Sequence, residues 1–255
     1  MKTFAIKTNI IKPGDSINDS LLSNIENISE NDLLVIATKI ISISQNRLVK
    51  IDEKNIEHKE ELIKSEAEYY IDPSECPYNL TITIKNSRLG LKSGIDSTNI
   101  PAGYYVLWPE NPQESVNQIW EFLRQEYKVK NLGVVIADTT SIPLRKSFVG
   151  GCVAYCGFSA MMHKNETDLF GNIKNSNINI AETAAVIGVS EMGETNEQTP
   201  LCIIRDLNNI EFKDTFPTQK ELDDYYLNIQ NDVFSPVFKN APWKKGGKSR
   251  INKDT

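Results

Sequence analysis

Apolar residues recur along this chain in two rhythms, one strand-like and one helical. Residues 3–7 alternate and predict a strand, and Lys12-Pro13-Gly14-Asp15 predicts a turn. Between Ser16 and Ile28, Leu21, Leu22 and Ile25 fall at helical spacing. Leu33-Leu34-Val35-Ile36-Ala37 is a continuous apolar run that suits a strand buried on both faces, with Thr38-Lys39 at its end. Ile51 to Tyr70 mixes Glu with Lys and predicts one or two solvated helices, with His58 among surface charges. Leu80 to Ile84 and Leu89 to Leu91 have period two around Asn86-Ser87 and predict a hairpin. A further strand is predicted at Tyr104 to Leu107.

Pro112 to Tyr127 carries the clearest helical signal. Pro112 suits the first turn, Glu114 complements the dipole, and Val116, Ile119, Trp120 and Leu123 form one apolar face. Gly133 to Ala137 predicts a buried strand ending in Asp138-Thr139-Thr140, followed by a Gly-rich apolar passage from Val149 to Phe158. Ile180 to Ser190 predicts a buried helix that leads into the acidic segment 191–198, then a strand at Pro200 to Arg205 and a short helix at Thr218 to Ile229. With no internal repeat, residues 1–240 read as one domain, divisible into two subdomains, and 241–255 as a basic mobile tail.

A hydrophobic content of 40% and a charged content of 24% over 255 residues are those of an ordinary globular protein. A net charge of -6 argues against a general nucleic-acid binder, which needs a basic face. No apolar run approaches the roughly 20 residues of a membrane span, and the N-terminus lacks the apolar region of a signal peptide. Cys76, Cys152, Cys156 and Cys202 show neither zinc spacing nor the density of a disulfide scaffold, and Cys202 reads as a small core residue. A cytoplasmic protein with reduced thiols is expected.

Three familiar sites fail on inspection. Gly247-Lys248-Ser249 resembles the close of a phosphate loop, but Pro242 stands where its first Gly is needed and too little chain follows for a helix. Cys156 and His163 lack the electropositive setting of a reactive thiol. Gly157-Phe158-Ser159-Ala160-Met161 lacks the second Gly of a nucleophile elbow. What survives is a repeated grammar of carboxylates and hydroxyls at element ends. Gly94 to Pro101 is a turn by composition, yet Asp96, Ser97, Thr98 and Asn99 are also hard oxygen ligands of the kind Mg²⁺ and Mn²⁺ prefer. Asp138-Thr139 and the loop holding Glu194 repeat the pattern, and Lys39, Arg47, Arg145 and Lys146 lie near such ends. Hard cations plus Lys and Arg are equipment for phosphoryl transfer.

Read together, Gly94-Ile95-Asp96-Ser97-Thr98-Asn99, Ala137-Asp138-Thr139, Pro143-Leu144-Arg145-Lys146, Asp168-Leu169-Phe170-Gly171 and Met192-Gly193-Glu194 resemble the coenzyme F-420 gamma-glutamyl ligase family. The resemblance runs from Ile10-Ile11-Lys12-Pro13-Gly14-Asp15 to about Leu207. It implies an α+β fold with mixed and antiparallel sheets, in an interlocked homodimer. It implies a ligase that uses GTP or ATP, two Mg²⁺ or Mn²⁺ ions and an accessory K⁺ to join L-glutamate to a carboxylate acceptor. By resemblance Asp96, Asp138, Thr139 and Glu194 are metal ligands. Asn9, Ile10, Ile11, Lys12, Thr38, Lys39, Asn99, Met192, Gly193 and Glu194 contact the nucleotide, and Arg145 and Lys146 bind substrate anions. The chain departs from the family pattern at Ile43 and Asn46, where Lys and Gly are usual, and at Lys146-Ser147, where Arg and Gly are usual. Its Ser42-x-x-Gln45-x-Arg47 pattern is similar to the branch associated with folate rather than a deazaflavin. The alternative implied by Ile43 is a nucleotide- or metal-binding homologue without ligase chemistry.

Overall fold

A computed structural model describes residues 1–248. Elements are numbered in chain order. The central sheet has the order β1 (Lys2–Ile6), β12 (Leu201–Arg205), β2 (Asp32–Ala37), β8 (Leu132–Ser141) and β9 (Phe148–Cys156). Only β2 and β8 run parallel; the other neighbours are antiparallel. Helices cover both faces, so β2 needs no alternation: Leu34 and Ile36 join one core, Leu33 and Val35 the other.

The first core is closed by α1 (Ile17–Asn24), α2 (Thr38–Ser44) and α4 (Pro112–Tyr127), and includes Leu21, Ile41, Ile119, Trp120 and Leu123. The predicted helix at 112–127 has the bounds the sequence gives, because Asn111 caps it through Glu114 N and Lys128 ends it in the left-handed region at φ 53°. The second core lies under α5 (Ile180–Met192), whose Ala181, Ala184, Ala185 and Gly188 let it sit close on the sheet. A Cβ on Gly188 would stand 2.6 Å from that of Val35.

The connection from β2 to β8 carries a satellite body. There α3 (His58–Glu66) packs through Leu62 and Ile63 on Ile95, Leu107 and the short pair β3 (Leu48–Lys50) and β7 (Tyr104–Val106), beside the sheet of β4 (Tyr69–Ile71), β5 (Ile82–Lys85) and β6 (Arg88–Leu91). The expectation of wholly solvated helices over 51–70 is corrected here. Ile63, Glu66 and Ala67 are buried, and Tyr69–Ile71 is a strand. His58 is not merely solvated either, since its Nδ1 accepts from Asp52 N at 3.1 Å. The expected mobile tail begins as a strap: β13 (Lys244–Lys245) pairs with β4, and Gly246, Gly247 and Lys248 donate backbone hydrogen bonds to Glu68, Lys64 and Ala67. Ser249 and the rest of that expectation lie outside the described residues.

Several elements have no counterpart among those predicted, namely α2, β3, the short helix at 235–239 and a hairpin at 161–179. The hairpin β10 (Met161–Thr167) and β11 (Ile173–Asn179) stands out with most of its residues exposed, and Asp168-Leu169-Phe170-Gly171 forms its tip. Near the C-terminus, α6 (Gln219–Tyr225) begins at a Thr218–Glu221 capping box and α7 (Ser235–Lys239) follows. No helix among the described residues is long and apolar enough to cross a membrane.

The tightest approach predicts a stability effect. A Cβ on Gly150 would meet the Ala185 carbonyl oxygen at 2.2 Å, and backbone cannot swing aside as a side chain can. Gly150→Ala is expected to push α5 off the sheet and cost about 1–3 kcal/mol. The check is a lower urea midpoint at unchanged slope.

Candidate functional site

Five separated stretches meet in one cleft of about 300 Å³ between the central sheet and the satellite body. Thr38, Lys39 and Ser42 enter from α2, Lys92 and Gly94 to Asp96 from the turn after β6, Val106 to Trp108 from the end of β7 and the residues after it, Asp138 to Ser141 from β8, and Glu194 from the loop after α5. Leu80, Leu91 and Phe148 add an apolar wall.

Asp96 is held firmly. Its Oδ2 accepts from Lys39 Nζ at 2.7 Å and Thr98 Oγ1 at 2.8 Å, and its Oδ1 from Ser97 N at 2.6 Å and Thr98 N at 3.1 Å. Burial pushes its carboxyl up, but Lys39 and these donors outweigh that and hold it below the usual aspartate range. Lys39 Nζ also donates to Thr98 O at 2.9 Å, so one ammonium closes the whole turn.

Asp138 is placed by a fault in the sheet. Ile136 pairs with Ala154 but Ala137 pairs with Cys152, so Val153 bulges out of β9 just before Asp138 comes opposite Gly151. Side chains take the bulge's backbone groups: Arg88 Nη1 donates to Cys152 O at 2.7 Å, Glu182 Oε2 accepts from Cys152 N at 3.0 Å, and Tyr226 Oη donates to Val153 O at 2.9 Å. Arg88 and Glu182 also pair directly at 3.0 Å. A Cβ on Gly151 would fall 1.5 Å from Arg88 Nη2, so only glycine admits this clamp.

The Asp138 carboxylate then accepts from Trp108 Nε1 and from Thr139 N. Burial keeps it above its ordinary range in spite of both donors. Glu194 is likewise raised, by burial first and then by repulsion from Asp138 and Asp96. Gly94 makes room for Trp108, since a Cβ there would lie 2.1 Å from the indole nitrogen. Behind the indole, Lys85 stands 5.5 Å from the ring centroid, and Arg47 Nε donates to Trp108 O at 3.1 Å. Both cations converge on Glu66, Lys85 at 2.8 Å and Arg47 at 3.3 Å.

The other expected residues divide. Asn99 Nδ2 donates to Thr195 O at 2.7 Å and ties the Asp96 turn to the Glu194 loop. Gly193 takes φ 75° to start that loop, and Met192 is core. The loop Asn9 to Lys12 is joined to it through Thr8 and Gln198, but does not line the cleft: Ile11 packs in the core and Ile10 is exposed. Arg145 and Lys146 sit on an exposed loop outside it. Ile43 is core, and Gln45 and Arg47 serve Ser115, Glu66 and Trp108 rather than the cleft. Cys156 is fully buried with its thiol pushed up to about 12, in keeping with a packing role.

Sequence reasoning missed Trp108, Arg88 and Glu182. The one available signal was that a buried indole N–H needs an acceptor. Ser42 is among the residues that line the cleft, and its Oγ is buried without a partner. Among the described residues no three His, Cys, Asp or Glu side chains stand close enough to bind one ion as they are. Asp138 and Glu194 repel one another and so suit a cation, while Asp96 is engaged by Lys39.

Breaking the clamp tests its weight. Arg88→Met leaves Glu182 without its cation and the Cys152 carbonyl without its donor. The expected cost is roughly 2 kcal/mol, less than for a fully buried pair because the Glu182 side chain is 36% exposed. Adding Glu182→Gln removes the orphaned charge and is expected to restore part of the loss in urea denaturation.

Comparison with known proteins bears on the same chain segments. The profile of the F420-0:Gamma-glutamyl ligase family matches residues 5–206. The coenzyme F420:L-glutamate ligase of Methanocaldococcus jannaschii is 31% identical over 82% of this chain and 88% of its own. Those of Methanococcus maripaludis strain C7 and Methanopyrus kandleri are 30% and 26% identical, over 70% and 77% of this chain and 77% and 83% of theirs. With a match that spans both the Asp96 turn and the Glu194 loop, the chain belongs to the F420-0:Gamma-glutamyl ligase family.

Proposed function

We propose that this protein is a nucleotide- and divalent-metal-dependent gamma-glutamyl ligase. It would join the amine of L-glutamate to a carboxylate acceptor of folate or deazaflavin type. The observation that carries this reading is the convergence of Asp96, Asp138, Thr139 and Glu194 with Lys39 on one cleft. GTP or ATP would transfer its terminal phosphate to the acceptor carboxylate. The glutamate amine would then attack the acyl phosphate, form the amide and release phosphate.

Mg²⁺ or Mn²⁺, when bound, would neutralise phosphate charge. Asp138, Glu194 and Thr139 are the residues to hold it, joined by Asp96 once Lys39 lets go. Lys39 is then free to meet a phosphate oxygen. Asn99 keeps the two carboxylate loops together. The wall of Leu80, Leu91 and Phe148 suits a flat ring, either the nucleobase or the acceptor's heterocycle. The folate pattern at Ser42, Gln45 and Arg47 says little about the acceptor, because Gln45 and Arg47 are occupied internally. Asp138→Ala is expected to abolish glutamate-dependent phosphate release with Mg²⁺ or Mn²⁺, GTP or ATP and either acceptor, at unchanged far-ultraviolet circular dichroism. Normal turnover by that variant would remove the metal assignment. Nucleotide binding by the wild type without phosphate release, across all acceptors, would favour a binding homologue, the reading suggested by an apolar Ile43.

The hairpin arm supports a homodimer. Leu169, Phe170 and Ile173 at its tip are 98%, 90% and 86% exposed, an apolar cluster that a monomer would leave in water. Phe170→Asp with Leu169→Asp is expected to shift the protein from dimer to monomer in sedimentation velocity.

A further inference from the structure

We infer that Lys92, with Lys59 beside it, forms an oxyanion-binding subsite on the wall of the cleft. The ligand's identity rests on the ligase reading; the subsite itself rests on geometry and charge.

After β6 the chain takes three consecutive left-handed residues, Lys92 at φ 56°, Ser93 at 52° and Gly94 at 69°. Residues with a Cβ resist that conformation, and two in succession persist only where the surroundings hold them. Here they do. Lys92 N donates to Thr81 O at 3.0 Å, the buried Ser93 donates from N to Thr83 Oγ1 at 2.9 Å and from Oγ to Ile63 O at 2.8 Å, and Ile95 N returns to Lys92 O at 2.9 Å. The turn sends Lys92 to the lining of the cleft that Asp138 and Glu194 also line.

Charge gives the second, independent observation. Lys39, Lys64, Lys85, Lys213 and Lys244 all pair with carboxylates, whereas among the described residues neither Lys92 nor Lys59 joins a salt bridge. Lys59, in the first turn of α3, stands 5.2 Å over the Tyr105 ring. Partial burial, and then repulsion from Lys92, hold its ammonium below the usual lysine range. Asp96 is taken by Lys39, and Asp138 by Trp108 and Thr139. Asp96 and Glu60 attract Lys59 without pairing with it, so two neighbouring unpaired ammoniums, one of them partly buried, are left to meet an anionic oxygen group. That group is either a nucleotide phosphate or a carboxylate of the acceptor.

Calorimetric titration with tripolyphosphate and with tri-γ-glutamate separates these sources. Lys92→Gln and Lys59→Gln are each expected to weaken the probe that binds by about tenfold or more, as for loss of a hydrogen bond to a charged group. Lys92→Gly should show the same loss while melting no lower than the wild type, because glycine relieves the left-handed turn. Loss confined to tripolyphosphate assigns the subsite to nucleotide; loss confined to tri-γ-glutamate assigns it to the acceptor. A wild type that binds neither probe, or variants that bind both as the wild type does, overturns the subsite, even where glutamate ligation proceeds. Variants that lose binding in a protein without ligase turnover uphold the subsite and remove the ligase reading.

Discussion

The site hangs on a single irregularity, the residue by which β9 outruns β8. A bulge inside a covered sheet strands backbone groups that water cannot reach, and each must find a partner or destabilise the fold. Arg88 comes from the satellite sheet, Glu182 from α5 and Tyr226 from just beyond α6, so satisfying one bulge binds three distant parts of the chain to the central sheet. Asp138 lies immediately past it, and its direction follows from the bulge.

A second network fixes the opposite wall. Glu66 is buried, and burying a carboxylate is unfavourable unless cations meet it; Lys85 and Arg47 do, and lower its pKa against the burial that would raise it. Those cations also touch Trp108, one over the ring and one at the carbonyl. The indole is thereby held where its N–H reaches Asp138. The satellite body thus serves as the support from which a buried carboxylate is aimed, a role its charge-rich sequence conceals.

Around these fixed walls the cleft keeps its reactive groups in unequal states. Asp96 is paired and ionised, whereas Asp138 and Glu194 are raised by burial, and in Glu194 by mutual repulsion as well. Lys39 bridges the Asp96 turn and leaves Asp138 and Glu194 without a salt bridge among the described residues. A ligand that brings positive charge to Asp138 and Glu194 and negative charge to Lys39 would relieve both imbalances at once.

The sequence by itself determined those elements whose signal is local. The helix at Pro112–Tyr127 carries its own caps and apolar face, and β2 is apolar enough to declare burial on both sides. Asp96, Asp138 and Glu194 were legible as candidates because turn chemistry and strand ends mark them, and their order matched a family. Tertiary structure decided the rest. It put Arg145 and Lys146 outside the cleft, put Trp108 inside it, and made most of the Gly-rich passage from Val149 to Phe158 a bulged strand. The exposed arm at 161–179 gave no apolar periodicity, because a hairpin without a core on either face has no reason to alternate. Periodicity reports which face of an element is buried, and so it is silent on polar side chains whose partners lie a hundred residues away. Arg88 and Glu182, ninety-four positions apart and decisive for Asp138, could be paired only by the fold.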